Sequence, residues 1–173
     1  MLPRKSNFEE DLHSYGWDDK LPDPFKSQWD TWIRSLNDIG LISLPRSFLS
    51  ENFISVNQEL HVFSDASDLA IGYVAYLRSK DSTGGVHVSF ITASSRVTPR
   101  SATTIPRLEI CAAVEASLCA APLVHELKHN PSNIFLYTDS QIVLGYLKNQ
   151  NRRFSKYIER IVDIIHNRTN VDD

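Results

Sequence analysis

Three acidic residues stand where runs of different periodicity meet: Asp65, Glu109 and Asp139. Asp65 ends the apolar run Leu60-His61-Val62-Phe63-Ser64. Glu109 comes early in a stretch rich in Ala, Leu and Cys. Asp139 follows the β-branched run from Ile134 to Thr138 and opens a helical pattern. Carboxylates gathered at neutral pH repel one another and need positive charge. Their hard oxygens suit Mg²⁺ or Mn²⁺. Two such ions roughly 4 Å apart activate a water and stabilise the leaving oxygen in phosphodiester hydrolysis. That chemistry requires no Cys and no obligatory His, and His61, His87, His125, His129 and His166 show no zinc-ligand spacing. Each acid also has a local explanation. Asp65 could cap a turn, Asp139 could be a helix N-cap, and Glu109, read in the first turn of its helix, would suit the macrodipole.

Only folding can bring these acids together, so the elements around them matter. Leu60 to Ser64 reads as a strand, Ala70 to Leu77 as a second and Val86 to Ala93 as a third, with a turn cluster at Asp81-Ser82-Thr83-Gly84-Gly85. Short loops between them predict an antiparallel meander. Thr104 ahead of Pro106 suits a helix start, the helix runs from Leu108 to Ala121, and Pro122 should kink or end it. A fourth strand follows at Ile134 to Thr138, then a helix from Asp139 to about Lys148 and a last one from about Ser155 to His166. Tyr157, Ile158, Ile161, Val162 and Ile165 form the apolar side of the last helix. The order β-β-β-α-β-α-α implies a crossover that lays strand four parallel to strand one. Their carboxyl ends would then point the same way, where α/β sheets place their sites. The class is α/β: a mixed sheet of a three-strand antiparallel meander plus a parallel fourth strand, flanked by helices.

Ahead of this lies a different segment. Residues 1–57 read as an N-terminal piece with one amphipathic helix, and residues 58–173 as the main domain. Asp23-Pro24 starts the helix, Trp29, Trp32, Ile33 and Leu36 share one face, and Gly40 would cap it. The aromatic face should pack on a neighbour; a non-enzymatic protein-interaction role for Trp29 and Trp32 is one alternative.

The chain has 173 residues, 42% hydrophobic and 23% charged, with a net charge of −3, an ordinary globular profile. Such a balance excludes a general polycation, so nucleic-acid contact would need a local basic patch. Cys111 and Cys119, eight helical residues apart, would lie roughly 12 Å from each other, too far for a disulfide. They read as buried small side chains in a reducing, intracellular setting, cytoplasmic or nuclear, and no signal peptide is visible. No apolar run reads as a membrane span.

At this point the motifs become familiar. Phe63-Ser64-Asp65-Ala66-Ser67 and Ala70-Ile71-Gly72-Tyr73-Val74-Ala75-Tyr76 resemble the opening strands of retroelement RNase H domains. Ser95-Arg96-Val97-Thr98-Pro99, Thr104-Ile105-Pro106-Arg107-Leu108-Glu109 and Tyr137-Thr138-Asp139-Ser140-Gln141 resemble the following blocks in the BEL/Pao class of LTR retrotransposons. Asn151-Arg152-Arg153-Phe154 and Ile158-Glu159-Arg160-Ile161 continue the likeness, and Trp29 to Arg46 resembles the connection from reverse transcriptase to RNase H.

The resemblance implies an RNase H fold within a pol polyprotein, acting as a metal-dependent endonuclease on the RNA of an RNA–DNA hybrid. It implies two Mg²⁺ or Mn²⁺ ions at Asp65, Glu109 and Asp139, with a reverse transcriptase domain as the expected partner. The family pattern continues with a fifth strand and a helix bearing a fourth acid. Neither is found before the final Asn170-Val171-Asp172-Asp173. The expectation is therefore an incomplete sheet and site, and the alternative reading is an inactive module that binds nucleic acid or supports a polymerase. Families of this type sometimes carry a peptidase label, but Asp81-Ser82-Thr83-Gly84 has the wrong spacing for an aspartic protease. Arg96, Arg100 and Arg107 form one basic run, and Lys148, Arg152, Arg153 and Lys156 another, interleaved with Tyr146, Phe154 and Tyr157. Both are candidate nucleic-acid contacts; the alternative is a solvated basic face.

Overall fold

The computed structural model describes residues 16, 18–20, 23–49, 53–98, 104–127, 131, 133–149 and 154–168. The chain divides into two compact units, residues 1–44 and 45–173. The first contains helix α1 (Asp23–Ser35), continued by a 3₁₀ stretch, Leu36–Leu41. Asp23 in its first turn and Arg34 in its last complement the helix dipole. The expected single helix to Gly40 tightens from Leu36 onward, where Asn37, Asp38 and Gly40 are weak helix formers. Trp29 and Trp32 touch, with ring centroids 4.9 Å apart, yet remain 53% and 50% exposed.

The second unit is built on four strands: β1 (Ser55–Ala66), β2 (Ala70–Asp81), β3 (Val86–Val97) and β4 (Asn133–Thr138). Their spatial order is β3-β2-β1-β4. The β1–β2 and β2–β3 pairs are antiparallel and the β1–β4 pair is parallel, the mixed sheet that the element order implied. All four outrun their sequence-read cores. On β1 the reason is that polar residues extend it inward: buried Gln58 donates from its amide nitrogen to the Ser79 hydroxyl of β2 at 3.2 Å. A hydrogen-bonded polar pair can be buried at little cost, so apolar alternation alone underestimates the strand.

At the β2–β3 hairpin the Asp81 carboxylate accepts from the backbone N–H groups of Thr83 and Gly85 and from the Thr83 hydroxyl. These bonds hold it below its ordinary carboxylate range. Gly84 supplies the positive φ of 91° the turn needs. Asp81 thus has a structural task, in keeping with the rejection of protease chemistry there.

Helix α2 (Ile105–Glu126) crosses the sheet, followed after β4 by α3 (Gln141–Leu147) and α4 (Lys156–His166). Pro122 does not end α2, which runs on to Glu126; of the two outcomes the sequence allowed, a kink or an end, the second is corrected. Pro122 and Leu118, four residues earlier, both lie on the exposed side, where water can take the carbonyl freed by the missing N–H. A second correction concerns length: by size and composition α2 is long and apolar enough to cross a membrane. Its alternating use of two buried flanks explains that composition. Ala116 and Ala120 pack on Leu60, Val62 and Ala75 of the sheet. Ile110 and Ala113 pack on Val143 of α3 and on Ile158, Ile161, Val162 and Ile165 of α4. The alanines let α2 lie close to the strands, and its larger residues fill the space under the shorter helices.

Candidate metal centre

The parallel pairing of β1 and β4 sets the site. Its last matched pair is Ser64 with Thr138, so the next residues stand at the same end of the pair: Asp65, still paired with Gly72 of β2, and Asp139, directly after β4. The Ser64 hydroxyl donates to the Tyr137 carbonyl at 3.1 Å, fastening the two strand ends directly before the acids. Glu109 approaches from α2. One carboxylate oxygen from each of Asp65, Glu109 and Asp139 lies within 4.8 Å of the others.

The local explanations of these acids fare unequally. Ser140, not Asp139, caps α3: its hydroxyl oxygen accepts from the Val143 N–H at 3.4 Å. Asp139 lies before the cap and is exposed. The turn after β1 is held by Ser67, whose hydroxyl donates to the Ala70 carbonyl and accepts from the N–H groups of Leu69 and Ala70. Asp65 retains one local bond, from the Ala66 N–H at 2.7 Å. Glu109 falls in the second turn of α2, not the first as the sequence suggested, because the helix begins at Ile105. Its macrodipole explanation weakens accordingly, since that effect fades beyond the first turn.

Glu109 is the unusual member. It sits between buried Leu108 and Ile110, and its Oε2 is buried with no hydrogen-bond partner. Burial first, then the charges of Asp139 and Asp65, push its carboxyl above the ordinary range. A lone buried oxygen costs free energy unless something satisfies it. A hard divalent cation would satisfy this oxygen and remove the repulsion among the three acids. The donor set is therefore consistent with Mg²⁺ or Mn²⁺, and no Cys or His belongs to it.

The basic residues occupy less uniform positions. Arg96, on β3, makes an ion pair with Glu115 of α2 at 3.0 Å. Arg107 lies with its guanidinium 5.6 Å from the ring centre of Tyr157 on α4. Lys148 caps the end of α3 and Lys156 begins α4, both exposed. Arg100, Arg152 and Arg153 fall outside the described residues. Cys111 and Cys119 are unpaired and only partly buried. The Cys111 sulfur lies 3.3 Å from the Tyr157 hydroxyl. That contact, followed by burial, raises the Tyr157 phenol. Sequence reasoning missed this Arg107–Tyr157–Cys111 contact, although the four-residue spacing of Arg107 and Cys111 on one helix was available as a signal.

A family model described as the Pao retrotransposon-like RNaseH-like domain matches residues 7–140, a span that includes all three acids. No curated protein matches the chain.

Proposed function

Because the chain belongs to the Pao retrotransposon-like RNaseH-like domain family, a nuclease-type fold, we propose that it hydrolyses the RNA strand of RNA–DNA hybrids with the help of divalent metal ions. The observation that carries this reading is the convergence of Asp65, Glu109 and Asp139 from three separate elements within 4.8 Å, with a buried Glu109 oxygen lacking a protein partner.

Asp65, Glu109 and Asp139 would hold Mg²⁺ or Mn²⁺, two ions in the full reaction. The bound metal supplies activation of water and stabilisation of the departing oxygen of the phosphodiester. The protein's part is mostly positioning. Parallel β1 and β4 deliver two exposed carboxylates side by side, and the Ser64–Tyr137 bond resists their spreading. Glu109 adds a third from a helix whose flanking residues are locked in the core. Three mutually repelling carboxylates give this centre a strong preference for cations. Lys148 and Lys156, exposed on the helices after Asp139, would meet the phosphates of the hybrid, and Arg107 would do so from α2. The natural source of such a hybrid is a reverse transcriptase domain of the same polyprotein.

The test is cleavage of an end-labelled RNA–DNA hybrid in Mg²⁺ or Mn²⁺. RNA fragments should appear with metal and vanish with a chelator and in Asp65→Asn. A folded chain that binds the hybrid without cutting it would overturn the nuclease reading. It would establish the alternative, an inactive nucleic-acid-binding module.

A further inference from the structure

Asp139 stands one residue beyond the last matched pair of β1 and β4. It lies past the ladder, so its place is inherited from the residues directly before it. β4 is also the outermost strand on its side of the described sheet, with β1 as its neighbour. The like charges of Asp65, Glu109 and Asp139 push apart, and the end of an outer strand can yield to that push. Something must hold β4 against β1 here if the three carboxylates are to keep the spacing that a shared cation needs.

Tyr137, two residues before Asp139, is where β4 is held. Its carbonyl accepts from the Ser64 hydroxyl at 3.1 Å. Its ring lies almost flat on that of Phe63, its register partner, with centroids 4.5 Å apart and planes 12° from parallel. Its hydroxyl is 2.9 Å from Nδ1 of His61, further back on β1. His61 is braced in turn. Its Nε2 faces the Glu59 carboxylate at 3.3 Å, and Arg78 of β2 donates to that carboxylate at 2.7 Å. The Tyr137 side chain is thus tied to β1 directly and to β2 through a polar chain. Burial does not account for the arrangement, because α2 covers the other face of β1 and both Phe63 and Tyr137 stay exposed. Phe63 also precedes Asp65 by two residues, and alternate residues of a strand share a face.

Phe90 supplies a comparison on the same face. It meets Tyr76 edge-on at 6.1 Å and is exposed to a similar degree, 36% against 42% for Phe63. It lies on β3, two strands from β1, roughly 10 Å away at the ordinary strand spacing. If the aromatic row served stability alone, Phe90 and Tyr137 would be equivalent.

We propose that Tyr137 is a positioning residue of the metal centre: its contacts with Phe63 and His61 fix Asp139 relative to Asp65 and so set the affinity of the acids for a divalent cation. The inference rests on the metal-centre reading above and extends it from the ligands to the residue that spaces them. Groups that orient metal ligands typically change affinity by about 10–100-fold. The lower end applies here, because Tyr137 acts through the strand and not by a bond to a carboxylate.

The experiment is titration of the full chain with Mn²⁺, following the electron paramagnetic resonance of the free ion, with thermal unfolding of each variant alongside. Asp65→Asn identifies the binding that belongs to the acids. Tyr137→Leu, which removes the stack and the hydroxyl, should weaken that binding about tenfold. Tyr137→Phe, which keeps the stack, should restore most of it. Phe63→Leu breaks the stack from the β1 side and should repeat the loss, which keeps the test open if Tyr137→Leu does not fold. Phe90→Leu should lower the unfolding temperature about as much as Phe63→Leu and leave Mn²⁺ affinity unchanged. An equal loss of affinity in Phe90→Leu overturns the proposal. If Asp65→Asn abolishes Mn²⁺ binding while the folded Tyr137→Leu or Phe63→Leu chain keeps its affinity, the positioning role alone falls. If the unaltered chain shows no Mn²⁺ binding that Asp65→Asn removes, the metal-centre reading falls and the positioning role with it.

Discussion

On β1, Leu60 and Val62 enter the layer beneath α2, while His61 and Phe63, their neighbours in sequence, lie on the opposite face. The covered face is aliphatic and dry. Leu60, Val62, Ala75 and Leu77 have no exposure, and its few polar side chains, such as Gln58 and Ser79, are hydrogen-bonded together. The opposite face is an aromatic row. Phe63 stacks on Tyr137 at 4.5 Å, and Tyr76 meets both Phe63 and Phe90 edge-on at 6.1 Å. Its rings are tipped by a polar chain. Arg78 donates to Glu59 at 2.7 Å. His61 places one ring nitrogen 3.3 Å from the same carboxylate and the other 2.9 Å from the Tyr137 hydroxyl. An ionised carboxylate only accepts, so the His61 nitrogen facing Glu59 is a donor. Burial pulls the Glu59 carboxyl up, but the bonds from Arg78 and His61 prevail and hold it below the ordinary range. Stability on one face comes from excluded water and close packing, and on the other from ring contacts and a polar network that tolerate solvent. Asp65 and Asp139 lie at the ends of the two strands whose rings, Phe63 and Tyr137, are stacked.

The contrast can be broken by substitution. Leu60→Ala should have the largest effect, a loss of about 2–5 kcal/mol measured by urea denaturation, because a wholly buried side chain leaves a cavity. Phe63→Ala should cost less, about 1–2 kcal/mol, since Phe63 is 42% exposed and loses mainly ring contacts. Equal losses at the two positions would mean that the aromatic face is covered in solution. At the acid end the sign reverses. A carboxyl raised by burial and neighbouring charge, like Glu109, favours folding only while it keeps its proton. That contribution is present below the unfolded value and is lost as pH rises through the folded one. Glu109→Gln should therefore stabilise the metal-free chain at neutral pH by about 1 kcal/mol, the lower range for an unsatisfied buried group. Thermal melts at descending pH should show the gain shrinking toward zero. Mg²⁺ should stabilise the unaltered chain and have less effect on the variant. The smallest effect belongs to Ser140→Ala, about 0.5–1 kcal/mol from a lost helix cap. Asp139→Ala, which leaves the cap intact, should cost no such helix stability.

Much of the architecture was legible because it depends on local pattern. The apolar run Leu60 to Ser64, the two runs after it and the short loops between them, with the turn cluster after Lys80, indicated the meander, and the helix between β3 and β4 implied the parallel pairing. The periodicity of Ile158, Ile161, Val162 and Ile165 identified the buried side of α4, while Tyr157, placed on that side, is 47% exposed. The errors arose where a local rule met a non-local partner. The full length of β1 depends on Gln58 finding Ser79 on another strand. Pro122 is tolerated because its side of α2 faces solvent. Arg96, grouped by sequence with Arg100 and Arg107 as a candidate nucleic-acid contact, is paired with Glu115 from a distant helix.

For the candidate site the division is equally physical. Residue type and position along the chain were enough to nominate Asp65, Glu109 and Asp139 and to reject thiol, zinc and aspartic-protease chemistry. They also placed two of the acids at the ends of strands that crossover topology makes parallel. Only the tertiary structure decided which acid loses its water and that Ser140 relieves Asp139 of capping. Hydration, charge repulsion and crowding are set by atoms brought close in space, and a linear sequence does not contain those distances.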